Sequence, residues 1–357
     1  MARRRWLWLV AAVVLFGAAA LLMSKAGAPR KPPPRVTLPR GMDEEAFLRL
    51  QRRRTLPRFV VKDQGDEVAQ TRRPSDPVMA AMPATVKRGA VVLEANAILK
   101  SPVGKLFVDC LVAGEGADFD RVKADTGFDM LRDVDRVSVI DDTTLITGHF
   151  SGVDWSKLFS GSAPTALDDH TTLWDTGHGQ AVAIWNGQMM INGPNRQAVV
   201  AVIDRLEGRT VTEQRVLDES DSYGEIYGVV APAALVELLA KEQPALAERM
   251  RGVVDRISLH VDASHDVGIV ADVLGKGNDT GDLGRAVGTA LAIGRLTAQT
   301  NGNKELAEVL EYARVSPGGR GNRFRAELAL TLGFFQDKLK DCAQKKGRRP
   351  DAGARGP

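Results

Sequence analysis

The hexapeptide VDRVSV at Val134–Val139 returns 120 positions later as VDRISL at Val254–Leu259. Its apolar and polar side chains alternate, which is typical of a β-strand with one buried face. The elements predicted around the two copies also follow one order: strand, helix, hairpin, helix, hairpin, helix. A repeat of this kind predicts a domain duplicated in tandem. The fold class it indicates is α+β, in which each unit has an antiparallel sheet with helices packed on one face.

The first unit is predicted to span residues 89–212. Its predicted elements are a strand at 90–93, a helix at 95–113, a loop at 114–133, a hairpin of 134–140 and 144–150, a short helix at 153–159, a hairpin of 180–185 and 188–192, and a helix at 197–206. Asn186-Gly187 lies between the last two strands and is a strong hairpin signal, because both residues tolerate the positive φ of a type I′ turn.

The second unit is predicted to span residues 213–343. Its predicted elements are a strand at 225–230, a helix at 232–250, a hairpin of 254–261 and 267–274, helices at 282–297 and 305–312, a hairpin of 313–316 and 323–332, and a helix at 334–343. The Gly-rich sequence between the last two strands predicts a turn. This order differs from the βαβ alternation of a parallel sheet, so a Rossmann-type fold is not expected.

Residues 1–23 are predicted to form a short cytoplasmic tip and a transmembrane signal-anchor helix. Three arginines, Arg3–Arg5, precede the apolar run Trp6–Met23, which is long enough to span a bilayer. The positive-inside rule then places the C-terminal body in the periplasm, anchored to the inner membrane. Ala26-Gly27-Ala28 also fits a signal-peptidase site, which is the alternative. Pro29 at the first mature position disfavours cleavage.

Residues 24–88 have the composition of a basic, Pro-rich linker. They hold 15 Lys/Arg against 7 Asp/Glu and include the sequence Pro32-Pro33-Pro34, which favours extended backbone. Met42–Arg54 is the exception, because acidic residues at its start and arginines at its end suit a helix dipole. Such a helix would dock on a partner or on the membrane surface, or it would form transiently within a tether. Residues 344–357 are predicted to be a disordered basic tail.

Charge and cysteine usage narrow the class of protein. The basic termini and linker leave residues 89–342 acidic, although the whole chain has a net charge of +3. An acidic body argues against nucleic acid as a partner, because phosphate binding needs a positive face.

Cys110 and Cys342 are the two cysteines. Outside the cytoplasm they could form a bridge that joins the units, but two separately buried thiols are the favoured interpretation.

The chain resembles the uncharacterised, membrane-anchored tandem α+β repeat proteins found in myxobacteria and related Gram-negative bacteria. The resemblance rests on the signal-anchor, the Pro-rich tether and the strand opening DVDRV at Asp133–Val137. It covers most of residues 89–342. It implies the anchored repeat architecture, but no activity is known for these proteins, so no functional residue is carried over.

The alternation along the repeated strand divides its residues between two faces. Its apolar residues should point at the helices. The residues expected on the other face, where a binding surface would lie, are Arg136, Ser138, Arg256, Ser258 and His260. Asp135 and Asp255 stand at the strand starts. A structural ion pair or turn bond, the same in both units, is a more economical explanation for them than a repeated functional site.

Two groups of residues could carry chemistry. The segment Asp168–His178 is the densest set of Asp and His side chains, which are metal ligands, but a polar turn is the more common use of such residues. His149 could act as a general base if a carboxylate and a nucleophile lay within reach. Asp141 and Ser151 are near it in sequence. A polar residue on an open sheet face is the simpler interpretation of His149, so no catalytic, cofactor or metal residue is predicted.

The expected function is that of a membrane-anchored extracytoplasmic binding or scaffold protein without catalytic activity. It would present its duplicated body to an envelope protein or polymer. One alternative is a periplasmic metal-dependent or hydrolytic enzyme that uses His149 or the Asp168–His178 loop. A second alternative is a sensory ectodomain that acts through a partner in the membrane.

Overall fold

The computed structural model describes residues 36–61, 68–177, 179–318 and 321–344. In these ranges no helix combines the length and the apolar character that crossing a bilayer requires. The predicted signal-anchor at Trp6–Met23 lies outside the described residues, as does the tail from residue 345 onward.

The described chain contains helices and strands in an α+β arrangement. The helices are α1 (Glu44–Arg53), α2 (Pro77–Ala80), α3 (Ala95–Lys100), α4 (Pro102–Thr126), α5 (Trp155–Leu158), α6 (Arg196–Leu206), α7 (Pro232–Glu242), α8 (Pro244–Met250), α9 (Asp279–Thr300), α10 (Lys304–Glu311) and α11 (Leu332–Gln344). The strands are β1 (Leu56–Val61), β2 (Val68–Ser75), β3 (Gly89–Leu93), β4 (Val134–Ile140), β5 (Thr143–Gly148), β6 (Pro164–Asp168), β7 (Thr171–Asp175), β8 (Ala181–Trp185), β9 (Met189–Gly193), β10 (Ile226–Val230), β11 (Val254–Asp262), β12 (Val267–Gly275), β13 (Arg314–Pro317) and β14 (Arg323–Leu330).

One antiparallel sheet of 12 strands runs through both halves of the chain. Its strand order is β13-β14-β12-β11-β10-β3-β4-β5-β9-β8-β7-β6, while β1 and β2 form a separate hairpin. The halves meet at the centre, where β3 pairs with β10 along its whole length. The prediction that both halves contain antiparallel sheet is therefore confirmed, and the two halves share a single sheet.

The strand order is the same when it is read outward from the centre in either direction. It runs β3-β4-β5-β9-β8 on one side and β10-β11-β12-β14-β13 on the other. The register at the centre is also symmetric, because Gly89 pairs with Val230 and Leu93 pairs with Ile226 around the central pair Val91 and Gly228. The first five strands on either side of the centre therefore follow the same pattern of chain order.

The two VDR sequences have the same backbone irregularity. The pairing of β4 with β5 shifts between Val134 and Arg136, and that of β11 with β12 shifts between Val254 and Arg256. A bulge leaves one residue out of the ladder and changes the direction of nearby side chains. The residue left out is Asp135 in one half and Asp255 in the other.

Helices cover both faces of the sheet. Face 1 is the side of Val92, which shares a buried cluster with residues of α2 and α6. Face 2 is the side of the neighbouring Val91, which packs against residues of α4 and α11. The prediction of helices on one face is therefore wrong. The sequence pattern does not show that α2 and α6 pack on the face of the sheet opposite to the face that α4 covers.

The face predicted to be open for binding is largely buried. Arg136, Ser138 and His260 are 4 %, 0 % and 2 % exposed, and they point to face 1. Arg256 and Ser258 are half-buried. The alternation is as predicted, but the polar side chains lie beneath other parts of the chain.

Part of that cover comes from α1 and α2, which lie within the predicted linker of residues 24–88. The side chain of Asp43 caps α1, which buries Ala46 and Leu50. At its end, Arg53 binds Glu94 of the body at 2.5 Å. Helix α1 thus docks on the protein's own sheet, which neither of the two predicted alternatives for Met42–Arg54 included.

The first half of the chain departs from prediction in two places. The loop expected at 114–133 is helical as far as Thr126, and Gly127 ends the helix with a φ of 79°. Helix α4, which packs against α11, forms despite glycines that each cost a helix about 1 kcal/mol. The hairpin of β6 and β7 is missing from the prediction. The Asn186-Gly187 turn is confirmed, since its φ angles are 52° and 62°.

Cys110 on α4 is disulfide-bonded. Cys342, on α11, is the other cysteine of the sequence. Helices α4 and α11 pack together, and the rings of Phe107 and Phe335 lie 6.1 Å apart between them. The preference for two separate thiols is therefore wrong, because the sequence does not show that the first long helix and the last helix of the body are neighbours.

Candidate functional site: a polar pocket on face 1

A pocket of about 500 Å³ opens on face 1 at the bulged start of β4. It lies between the ends of β4 and β5, the β8–β9 turn and the N-terminal segment. Its lining residues are Arg53, Thr55, Pro77, Asp135, Arg136, Thr147, Gly148, His149, Phe150, Ser151, Trp185, Asn186, Gly187, Gln188 and Met189. The volume is in the range of small-molecule sites, which is about 300–1,000 Å³.

A buried ion pair lies next to the pocket. Arg136 Nη1 donates to Asp76 Oδ2 at 2.7 Å, and Nη2 donates to Oδ1 at 3.0 Å. Burial, the largest single influence, would lower the pKa of Arg136, but the charge and hydrogen bonds of Asp76 together with nearby Tyr227 and Glu94 outweigh it, so the pKa is raised. Asp76 also accepts from the backbone N–H of Val78 and so caps α2. The pair therefore joins β4 to the N-terminal segment.

A second charged pair lies beside the first. Arg53 of α1 binds both carboxylate oxygens of Glu94, at 2.6 and 2.5 Å. The hydroxyl of Tyr227 donates to the same carboxylate at 2.9 Å. Burial, together with the charge of Glu94, raises the pKa of Tyr227 well above its usual value. Tyr227 is therefore a neutral hydrogen-bond donor at physiological pH.

The rim of the pocket contains His149 and Asp135. His149 Nδ1 lies 3.5 Å from Asp135 Oδ2, and Asn96 Nδ2 donates to the other oxygen, Oδ1, at 3.4 Å. His149 is 81 % exposed. The bulge of β4 is what turns Asp135 toward the histidine. The carboxylate that the enzyme hypothesis requires is thus Asp135, whereas Asp141 accepts from the backbone N–H groups of residues 87–89.

Two buried polar atoms of pocket residues have no hydrogen-bond partner within the described part of the chain. They are Arg136 Nε and Thr147 Oγ1. The two residues are directly opposite each other on β4 and β5. A buried polar atom without a partner costs about 1–3 kcal/mol, and such atoms commonly mark functional positions.

The corresponding residues of the second half make different contacts. Arg256 binds Asp221 at 2.7 Å, and both side chains are about one-third exposed. The rings of His260 and Tyr223 are stacked with centroids 3.8 Å apart. Burial lowers the pKa of His260, so its ring is neutral at pH 7. The repeated sequence thus leads to a buried pair in one half and a more exposed pair in the other.

The described residues of the Asp168–His178 segment, 168–177, are not assembled as a metal centre. Asp168 ends β6, Asp169 and His170 form the turn, and Asp175 ends β7 beside Arg196. His178 lies outside the described residues. Nowhere in the described ranges do three His, Cys, Asp or Glu side chains lie close enough together to hold a metal ion.

Sequence reasoning found part of this pocket. His149, Ser151, Arg136 and Asp135 were singled out by residue type and by the repeat. Thr147 and Gln188 were missed, and Arg53 was assigned to a helix without a place on the body. The position of Gln188 could have been predicted from the Asn186-Gly187 turn. A tight turn at these two residues places Gln188 at the end of the next strand.

The chain matches no family model, no curated protein and no solved structure in the three comparisons made. The resemblance to the membrane-anchored repeat proteins accordingly stays a prediction. The α+β class is established by the sheet and helices themselves, whereas the function rests on the geometry of the pocket.

Proposed function

We propose that the protein is a membrane-anchored, extracytoplasmic binding protein whose pocket on face 1 contacts an envelope partner. The observation that carries this proposal is that the charged side chains lining the pocket are paired. Arg53 binds Glu94, Arg136 binds Asp76, and His149 lies beside Asp135. Paired charges hold a rigid, polar surface, which suits recognition.

The disulfide at Cys110 supports a location outside the cytoplasm. Disulfides persist in oxidising compartments and are rare in the cytosol, where thiols are kept reduced. In this proposal Trp6–Met23 is the anchor in the inner membrane, and residues 24–35 connect it to the body in the periplasm. Helices α1 and α2 belong to the body through the ion pairs of Arg53 and Asp76, so the tether is shorter than the predicted linker of residues 24–88.

The body is proposed to have arisen by tandem duplication of one α+β unit. The common strand order and the two matched bulges support this origin. Two differences show that the halves have since diverged. The first half has an additional hairpin, β6 and β7. The second half has two helices, α9 and α10, at the position where the first half has only the single turn of α5.

Site-directed photocrosslinking in membranes tests the binding function. A photoreactive residue at Gln188, on the pocket rim, should crosslink to an envelope component. The matched control is Ile293 on α9, which is 61 % exposed and belongs to the helix layer of face 2. Crosslinks from position 188 to lipid and to the protein itself alone would contradict the proposal, as would an identical set of products from both positions.

A second candidate is a hydrolase, and the position of His149 favours it. His149 has a carboxylate 3.5 Å away, and Ser151 lines the same pocket. Such an enzyme would use the histidine as a general base and the serine as a nucleophile. Hydrolysis of a chromogenic ester that is lost in both His149→Ala and Ser151→Ala would favour this candidate. Equal rates in the variants and the wild type would remove it.

A further inference from the structure

We infer that the pocket on face 1 binds an uncharged sugar residue of an envelope glycan. This inference rests on the proposed binding function and adds the chemical class of the ligand. Four properties of the pocket carry it: the balance of its charges, the polar groups at its rim, the apolar groups of its wall and the unpartnered atoms at its base.

The balance of charge favours a neutral ligand. The guanidinium groups of Arg53 and Arg136 each bind both oxygens of a carboxylate, so the positive charge of each is already balanced by a neighbouring negative charge. At the rim, the carboxylate of Asp135 has a neighbour at each oxygen. His149 Nδ1 lies near Oδ2, and the side-chain amide of Asn96 donates to Oδ1. A charged ligand would meet no unbalanced counter-charge among these groups, whereas an uncharged ligand needs none.

The rim carries side chains that both donate and accept hydrogen bonds. Asn186 and Gln188 are exposed amides on the β8–β9 turn, and Ser151 is an exposed hydroxyl shortly after the end of β5. An amide presents a donor and an acceptor side by side. Neighbouring hydroxyl groups of a sugar ring present the complementary acceptor and donor at a similar spacing.

The wall of the pocket is apolar. Pro77, Phe150, Trp185 and Met189 line it. The indole N–H of Trp185 donates to Glu207 at 2.5 Å, which fixes the orientation of its ring. Sugars combine hydroxyl edges with C–H faces, and the C–H faces pack on rings and aliphatic groups in pockets of this kind.

The base of the pocket has unsatisfied hydrogen-bonding capacity. Arg136 Nε is a donor, and the hydroxyl of Thr147 both donates and accepts. The two side chains are cross-strand neighbours, so one acceptor oxygen can be placed between them. Both atoms have almost no accessible surface. A hydroxyl or acetamido oxygen of the ligand would therefore offset the cost of burying them without a partner once a small side-chain movement opens them to the pocket.

Ligand-observed NMR on the purified full-length protein, kept in a detergent without a sugar headgroup, tests the inference. The probes are N,N′-diacetylchitobiose, cellobiose and maltose, with glucuronic acid and glucosamine as charged counterparts. At least one neutral sugar should show saturation transfer, and it should bind at least about tenfold more tightly than the charged ones.

Variants at Thr147 locate the binding. Thr147→Val removes the hydroxyl at nearly constant volume and should weaken binding by about tenfold, whereas Thr147→Ser should retain it. Ile293→Ala on face 2 is the remote control and should bind like the wild type. Denaturation midpoints establish that each variant is folded.

Absence of binding by all three neutral sugars overturns the inference, as does preferential binding of a charged sugar or equal affinity in Thr147→Val. The crosslinking at Gln188 separates this failure from failure of the proposed function. If position 188 still crosslinks specifically to an envelope protein, the ligand class is wrong and the binding function stands. If neither experiment gives a positive result, both fall together.

Discussion

Arg136 and Asp76 are 60 residues apart in sequence, and the guanidinium of the first donates to both carboxylate oxygens of the second at 2.7 and 3.0 Å. Their side chains are 4 % and 1 % exposed. The pair joins the repeated strand β4 to the cap of α2, so the predicted linker and the predicted body are one folded unit at this point.

Breaking this pair should cost far more stability than breaking its counterpart in the second half. Arg136→Met leaves the Asp76 carboxylate buried without its cation, which should reduce the free energy of unfolding by about 3–5 kcal/mol. Arg256→Met removes the corresponding, more exposed pair with Asp221 and should cost less than about 1 kcal/mol. Urea denaturation of the two variants measures the difference, and equal losses would contradict the assignment of Arg136 to a buried pair.

Reduction of the disulfide should destabilise the body. A bridge that closes a loop longer than 100 residues restricts the unfolded chain, and removing it should cost about 4–5 kcal/mol. The measurement is the urea midpoint of the wild type with and without a thiol reductant. The control is the double variant Cys110→Ser and Cys342→Ser, whose midpoint should be low and insensitive to the reductant. A wild-type midpoint that the reductant leaves unchanged would argue against the bridge.

Helix α1 should be released when Glu94 is removed. Glu94→Ala takes away the carboxylate that binds Arg53 and Tyr227, so trypsin should cut after Arg52–Arg54 at least about tenfold faster. Glu45→Ala is the matched control, because Glu45 lies on the same helix and its side chain is 79 % exposed. Time courses of limited proteolysis give both rates. Similar rates in the two variants would show that α1 is held by other contacts.

The pH dependence of stability should contain a contribution from His260. Burial lowers the pKa of His260 below its usual 6.5, so the unfolded chain binds the proton more readily than the folded one. Its contribution to stability is therefore present above about pH 6.5 and is lost as the pH falls toward the lowered pKa.

Comparison with His260→Gln isolates this contribution. Burial raises the pKa of Glu225, whose contribution has the opposite sign because it is lost as the pH rises above 4.5. Glu225 is present in both proteins and cancels in the difference. Denaturation at a series of pH values should show a smaller loss between pH 7 and pH 5 in the variant. Parallel curves would contradict a buried, neutral His260.

The local elements were largely predictable from the sequence. The repeated strands, the Asn186-Gly187 turn and helix α6 are specified by alternation, turn chemistry and helical periodicity, all of which act over a few residues. The hairpin of β6 and β7 was not predicted, because its turn, Asp169-His170, resembles a polar loop and its first strand is largely exposed. The end of α4 was misplaced for a related reason, since glycines favour a loop locally and packing overrode that preference.

The pocket was predictable only in its parts. His149 and Arg136 stood out by residue type, but the partner of Arg136 is Asp76, on a segment whose composition is that of a linker. Asp135 reached His149 through a bulge, and a bulge has no sequence signature in a strand that alternates regularly.

The sequence by itself determined most of the strands and helices of the body and which side chains of the repeated strands share a face, because these follow from backbone preferences and from the spacing of apolar residues. Only the tertiary structure decided that the halves join through β3 and β10, that α1 and α2 cover face 1, and that Cys110 lies in a bridge. Those outcomes depend on contacts between residues far apart in the chain, where burial and charge pairing select one arrangement among many that the local pattern allows.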